Sequence, residues 1–360
     1  MALLGGAFLV VGVVLAMFTQ AGPTSDESAR AAIDDLMQQR YHALLTGDID
    51  RYMRTVDPAR GVLRTCEDQR FQTYVRLGMT PDAPVIGRVE KWGDYLRVWF
   101  DTSVGWKRLF VRYDGARWYV SEPTSAELGD EESKDIEGVT VSYRAAESDV
   151  IDAIAAELPS IIDSVTAHAP TPPSHLFSLR VDTLTTASGN CFIAGLAQGR
   201  GSTLITLRDI GLTPGYNHLS RDTSATIEHE ALHWLQIDRS ATAMRSMDWW
   251  LVEGWPFLVA NTDLSTIARR GSAVCDQPAL EYEDLRFGPR FDARPEAAQR
   301  LYLAASLLVE RISKSGGDSA YWRIFDAFDD STSDPFVRVT GADGSAFFRS
   351  WLADARKQYC

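Results

Sequence analysis

His229-Glu230-Ala231-Leu232-His233 sets two imidazoles four residues apart with a carboxylate between them. In a helix, positions i and i+4 lie above one another on one face, so both rings can reach a single ion. Ala225 and Ile227 precede the motif without a breaker, and Ser220 or Asp222 can cap the first turn, so the segment is expected to be helical. The chain has only six histidines, which makes chance assembly of the motif rare. An imidazole pair of this kind suits Zn2+, which then takes a third protein ligand and keeps one position open for water. Zinc lowers the pKa of that water towards about 7. Glu230 stands beside the ligands and can take the proton as the oxygen attacks a carbonyl.

The third ligand is sought downstream. A third histidine six residues after the second is excluded because position 239 is Arg. Glu253 follows His233 after 19 intervening residues, in the apolar run Trp249-Trp250-Leu251-Val252-Glu253-Gly254-Trp255. A carboxylate in such surroundings needs a counter-charge, and a metal supplies one. Two residues nearby break an ordinary pattern. Pro256 must sit in the first turn of a helix or kink it. Position 257 is Phe, where the thermolysin-like enzymes that this run resembles place an Asp that orients a histidine ligand, so by that resemblance the orienting group has to come from elsewhere.

The elements that must hold these residues can be read from pattern. Asp26 to Gly47 has helical apolar spacing, and Ile49 to Thr55 reads as a short second helix. From Val85 to Val120 four segments alternate apolar and polar residues, with Asp114-Gly115 as a hairpin turn. Helices followed by antiparallel strands give an α+β class. Residues 124–138 are acidic and aperiodic and are expected to form a linker. Beyond it come a strand at Val139 to Tyr143, an amphipathic helix from Val150 to Val165, and strands at Leu176 to Val181 and Thr203 to Arg208. A Gly-rich loop spans Gly189 to Gly201. Three C-terminal helices are expected, at Ala297 to Ile312, Ser319 to Phe328 and Ser345 to Lys357.

HEALH followed by WWLVEGW resembles the gluzincin metallopeptidases, and most of all the bacterial peptidase MA-like group. The likeness covers about residues 139–357, within a peptidase domain expected over 139–360, and implies a strand-and-helix upper lobe, a helical lower lobe and zinc between them. It implies peptide-bond hydrolysis on a peptide or protein substrate, with His229, His233 and Glu253 as ligands and Glu230 as base. It also implies an edge strand before the metal helix that aligns substrate, which falls on Thr203 to Arg208. Tyr302 resembles the Tyr of related aminopeptidases that donates to the developing oxyanion, and an ordinary core role is the competing reading. His218 is a weaker candidate for that donor. No Gly-x-Met-Glu-Asn clamp is present, which points to endopeptidase action. Residues 26–123, through ALLTGDIDRYMRTVDP and VRYDGARWYVSEP, resemble the nuclear-transport-factor-like or SnoaL-like cone fold. Two other functions fit the same residues: a catalytically idle envelope binding protein, and a zinc hydrolase acting on a non-peptide amide.

Composition narrows the setting. A net charge of -13 argues against nucleic acid as a partner, because that needs a basic footprint. Residues 2–18 carry no charge, and polar residues follow at once, so segment 1–22 is expected to be a signal peptide or an uncleaved membrane anchor, with the anchor favoured. Either places the remainder outside the cytoplasm. The four cysteines form no CxxC pair and are expected to be disulfide-bonded, with Cys191 to Cys275 the favoured pairing.

Overall fold

The computed structural model describes residues 26–77, 83–102, 105–124, 126–183, 195–199, 203–208, 210–260, 273–275, 279–289, 295–314, 316–329 and 335–360. The expected N-terminal segment 1–22 lies outside these residues. Among the described residues no helix is long and apolar enough to cross a membrane. The fold is α+β, as the pattern of elements implied.

Three helices open the described chain: α1 (Asp26–Thr46), α2 (Ile49–Met53) and α3 (Gly61–Leu77). The sequence pattern had assigned nothing to the span of α3. Its buried positions include Glu67, which pairs with Arg40, and Cys66, so helical apolar spacing is interrupted by a buried charge. Four antiparallel strands follow: β1 (Ile86–Trp92), β2 (Tyr95–Thr102), β3 (Gly105–Tyr113) and β4 (Trp118–Ser121). Ile33, Leu36 and Met37 of α1 bury against Val98, Val111 and Val120 of this sheet. Asp114 holds the β3–β4 turn by accepting from the amides of Ala116 and Arg117.

The expected linker is corrected by the structure. Within it β5 (Glu131–Ile136) pairs antiparallel with β6 (Val139–Arg144). Glu137 and Gly138 both adopt positive φ, the geometry of a tight two-residue hairpin. Five of the six β5 side chains are exposed and only Ile136 is buried, so this outer strand is written in charge and carries no apolar alternation. Helix α4 (Ser148–Ala167) then leads to β7 (Ser178–Val181), which lies parallel to β6. Val150, Ile154, Leu158, Ile161 and Val165 form its buried face.

A second correction concerns the Gly-rich run. Gly195–Gly199 is a strand, β8, paired antiparallel with β9 (Thr203–Leu207), and the sheet order is β5-β6-β7-β9-β8. The edge is therefore β8, and β9, which had been expected to present it, is interior. Glycine at 195 has a steric cause: a Cβ there would lie 2.8 Å from Glu230 Cγ and 2.9 Å from Thr226 Cγ2.

The two sheets are tied together. The short strand β10 (Gly211–Leu212) pairs with β3, adding a strand from the later half of the chain to the first sheet. Just after it Tyr216, at φ 61°, packs its ring against Trp99 and Trp106 and accepts from the Arg88 amide. Arg108 on β3 pairs with Asp149 at 2.7 Å and donates to Thr183, and Arg97 donates to the Ala146 carbonyl. The Arg108 and Asp149 side chains are almost wholly buried, where an unpaired charge would be costly.

The remaining helices are α5 (Arg221–Ser246), α6 (Trp249–Ala260), α7 (Tyr282–Phe287), α8 (Pro295–Ser313), α9 (Gly317–Ala327), α10 (Pro335–Thr340) and α11 (Gly344–Tyr359). Cys275 is bonded to Cys360 at the end of α11, not to Cys191 as expected. The 85-residue separation hides this pairing from a local reading: the C-terminal helices fold back and bring the last residue to Cys275.

Candidate metal centre

Ser220 caps α5 by accepting from the Thr223 amide, and Ile227, Ala231, Leu232 and Trp234 bury one side of the helix. His229 and His233 lie one turn apart with ring centroids 4.8 Å from each other. Their Nε2 atoms are 3.1 Å apart. Glu253, from α6, places Oε2 3.3 Å from His229 Nε2 and 3.2 Å from His233 Nε2. The three sequence-derived ligands thus converge, and they form the one metal-capable group found among the described residues.

The donor set fits zinc. Ligands about 2.0–2.1 Å from a tetrahedral ion are separated from one another by roughly 3.3–3.4 Å. The observed separations of 3.1–3.3 Å match that edge length closely. Two neutral imidazoles and a carboxylate also leave one face of the tetrahedron free.

Gly254, next to the third ligand, lets α6 approach α8. A Cβ at 254 would lie 2.7 Å from the Ala305 carbonyl oxygen. That close crossing carries Tyr302 to the site: its ring centroid is 6.5 Å from that of His229, and Trp249 and Phe257 pack against it at 4.9 and 5.6 Å. Phe257 also meets the His229 ring edge-on, filling the place where an orienting carboxylate had been sought.

The hydrogen-bond partner of the His233 ring is a residue that sequence reasoning missed. Gln236 is fully buried, and its Oε1 lies 2.7 Å from His233 Nδ1. The available signal was its position, three residues after His233 and so on a neighbouring helical face. A buried Gln on an otherwise apolar stripe was the only hint.

Glu230 points to β8. The Ala197 amide of β8 donates to its Oε2 at 2.7 Å. His218 does not share this neighbourhood: it pairs with Glu157 at 2.8 Å, near the N-terminus of α5. Nine residues of helix from Ser220 to His229 span roughly 13 Å at 1.5 Å per residue.

The electrostatics of the site are set by Glu253. Burial alone would lower the His233 pKa, but the adjacent Glu253 charge and its hydrogen bond outweigh that and hold it at about 9. Burial likewise opposes ionisation of Glu253, and the two histidines overcome it and keep the carboxyl well below its ordinary range. The Tyr302 phenol is pushed far upward by burial, by the charges of Glu253 and Glu230, and by a hydrogen bond with Glu253. It therefore stays protonated across the physiological range.

No protein-family model matches the chain, and no curated protein matches it. Among solved structures it is similar to the M1 zinc metallopeptidase from Deinococcus radiodurans, at 14% identity and a TM-score of 0.39. The match covers 74% of this chain and 59% of that one, so the chain spans about three fifths of that peptidase's length.

Proposed function

We propose that the chain is a zinc-dependent endopeptidase of the gluzincin type, acting outside the cytoplasm and held to the membrane by segment 1–22 or released after its cleavage. The observation that carries the reading is the set of three ligand atoms, 3.1–3.3 Å apart, with Glu230 on the same helix as two of them. His229, His233 and Glu253 hold the ion. When bound, zinc polarises the scissile carbonyl and makes a water molecule acidic enough to be deprotonated near neutral pH.

The remaining roles belong to the chain's own groups. Glu230 accepts the water's proton at a carboxylate oxygen and passes it to the leaving amine nitrogen. The Ala197 amide, bound to Oε2, restrains that carboxylate so that Oε1 is the oxygen left to exchange protons. Tyr302 donates its hydroxyl proton as a hydrogen bond to the oxygen that gains charge, a role supported by its retained proton and its place beside the ligands. The outer edge of β8, which pairs with no other strand among the described residues, receives the substrate main chain beside the Ala197 amide that Glu230 holds. The block of residues 26–123 is assigned, by its resemblance to the cone fold alone, to docking of substrate or partner.

The test is zinc content and peptide-library cleavage by the full chain beside Glu230→Gln. One zinc in both proteins with cleavage by the wild type alone supports the peptidase. Zinc without cleavage in either would leave a binding or scaffold protein, and absence of zinc from both removes the site.

A further inference from the structure

Gln236 and Pro256 meet at one carbonyl. Pro256 lies inside α6, and proline has no N–H to give to the carbonyl four residues earlier. That carbonyl belongs to Val252, the residue before Glu253. It accepts instead from Gln236 Nε2 at 3.0 Å. The same nitrogen donates to the Tyr321 hydroxyl at 2.6 Å, and that hydroxyl donates to the Leu251 carbonyl at 3.2 Å.

Carbonyl oxygens only accept, so Val252 and Leu251 fix the direction of every hydrogen bond in this chain. The amide nitrogen of Gln236 must face α6, and Oε1 must face His233. An acceptor 2.7 Å from His233 Nδ1 requires the proton to sit on Nδ1. In the neutral ring Nε2 is then the nitrogen whose lone pair is left for a metal. Gln236 and Tyr321 are both fully buried, so water does not compete for these partners. The Tyr321 ring is further held by stacking on Trp255, with centroids 4.6 Å apart and planes 9° from parallel.

We infer that Gln236 is a positioning residue of the metal site, which locks His233 in its Nδ1–H form and ties its ring to the backbone carrying Glu253 through the carbonyl that Pro256 leaves free. The proline inside the helix and the amide that orients the ligand are two halves of one device. A neutral amide fixes the ring without adding charge, whereas a carboxylate partner would also raise the basicity of the ligand. The inference rests on the reading of His229, His233 and Glu253 as zinc ligands.

The test compares the full-length wild type with Gln236→Met, which keeps a side chain of similar length but neither accepts from Nδ1 nor donates to Val252. Zinc affinity is measured by chelator competition, and the visible absorption of the Co2+-loaded protein reports ligand geometry. The expected result is about 10- to 100-fold weaker zinc binding and an altered cobalt spectrum, with the metal-free circular dichroism unchanged. If Gln236→Met does not fold, Pro256→Ala decides: it returns an N–H to Val252, favours helix, and is expected to weaken zinc binding about 3- to 10-fold while the metal-free protein loses no thermal stability. Zinc affinity within about twofold of wild type in a folded Gln236→Met, or in Pro256→Ala where the first is unfolded, overturns the inference. Failure of the wild type itself to bind zinc is a separate outcome, which removes the metal-site reading along with it.

Discussion

Zinc binding is expected to expel a proton from His233, and the structure sets its size. In the metal-free site Glu253 holds His233 at about 9 against burial, so at pH 7 the ring is mostly protonated. Zinc must displace that proton, which weakens apparent affinity at pH 7 by on the order of 100-fold, or roughly 3 kcal/mol. Apparent affinity should rise by about tenfold per pH unit up to 9 and then level off as far as His233 is concerned. Metal-free stability runs the other way. The folded pKa lies above the ordinary 6.5, so the protonated ring stabilises the fold fully below about 6.5, and this is lost as pH rises through about 9. The His233–Glu253 attraction is counted once, and it amounts to roughly 3 kcal/mol across that window. At about 2 °C per kcal/mol for a chain of this size, metal-free melting should fall by about 6 °C between pH 6.5 and 9. Glu253→Gln is the control, since it removes the charge that holds the proton. Melting curves of both proteins in chelator, together with calorimetry of zinc binding in buffers of different ionisation enthalpy, give stability and proton release. Parallel pH profiles for the two proteins, or zinc binding at pH 7 with no proton release, would refute this reasoning.

Three further outcomes follow from particular contacts. Gly195→Ala places a methyl 2.8 Å from Glu230 Cγ, so β8 and the base must separate, and turnover should drop about tenfold or more with a stability loss of about 1–3 kcal/mol; peptide kinetics beside thermal melts check it. Tyr302→Phe should lower kcat about 100-fold with little change in KM, and unchanged turnover would remove Tyr302 from the mechanism. A fragment of residues 139–360 leaves β10 without β3 and strands Asp149 without Arg108, so it should be unfolded or aggregated by circular dichroism and size exclusion, and a soluble, zinc-binding fragment would contradict the coupling of the two sheets.

The sequence by itself singled out His229, His233 and Glu253, the three residues whose donor atoms the fold brings together. An HExxH helix and a Glu-Gly in an apolar run are local patterns, and helical periodicity alone brings His229 and His233 to one face. It also yielded the α+β class, the hairpin at Asp114-Gly115 and the three long C-terminal helices. Tertiary structure decided everything that depends on a partner distant in the chain. β5 reads as an acidic linker until β6 pairs with it, and β8 reads as a glycine loop until α5 is seen to leave no room for a Cβ at 195. Cys275 finds Cys360 across 85 residues. The orienting group for His233 was hidden for the same reason. Gln236 shows its role only when the carbonyl freed by Pro256, on another helix, is seen to turn its amide towards the ligand. Backbone propensity and periodicity act over a few residues, whereas strand pairing, close approach and buried hydrogen bonds are settled by whichever groups the fold brings together.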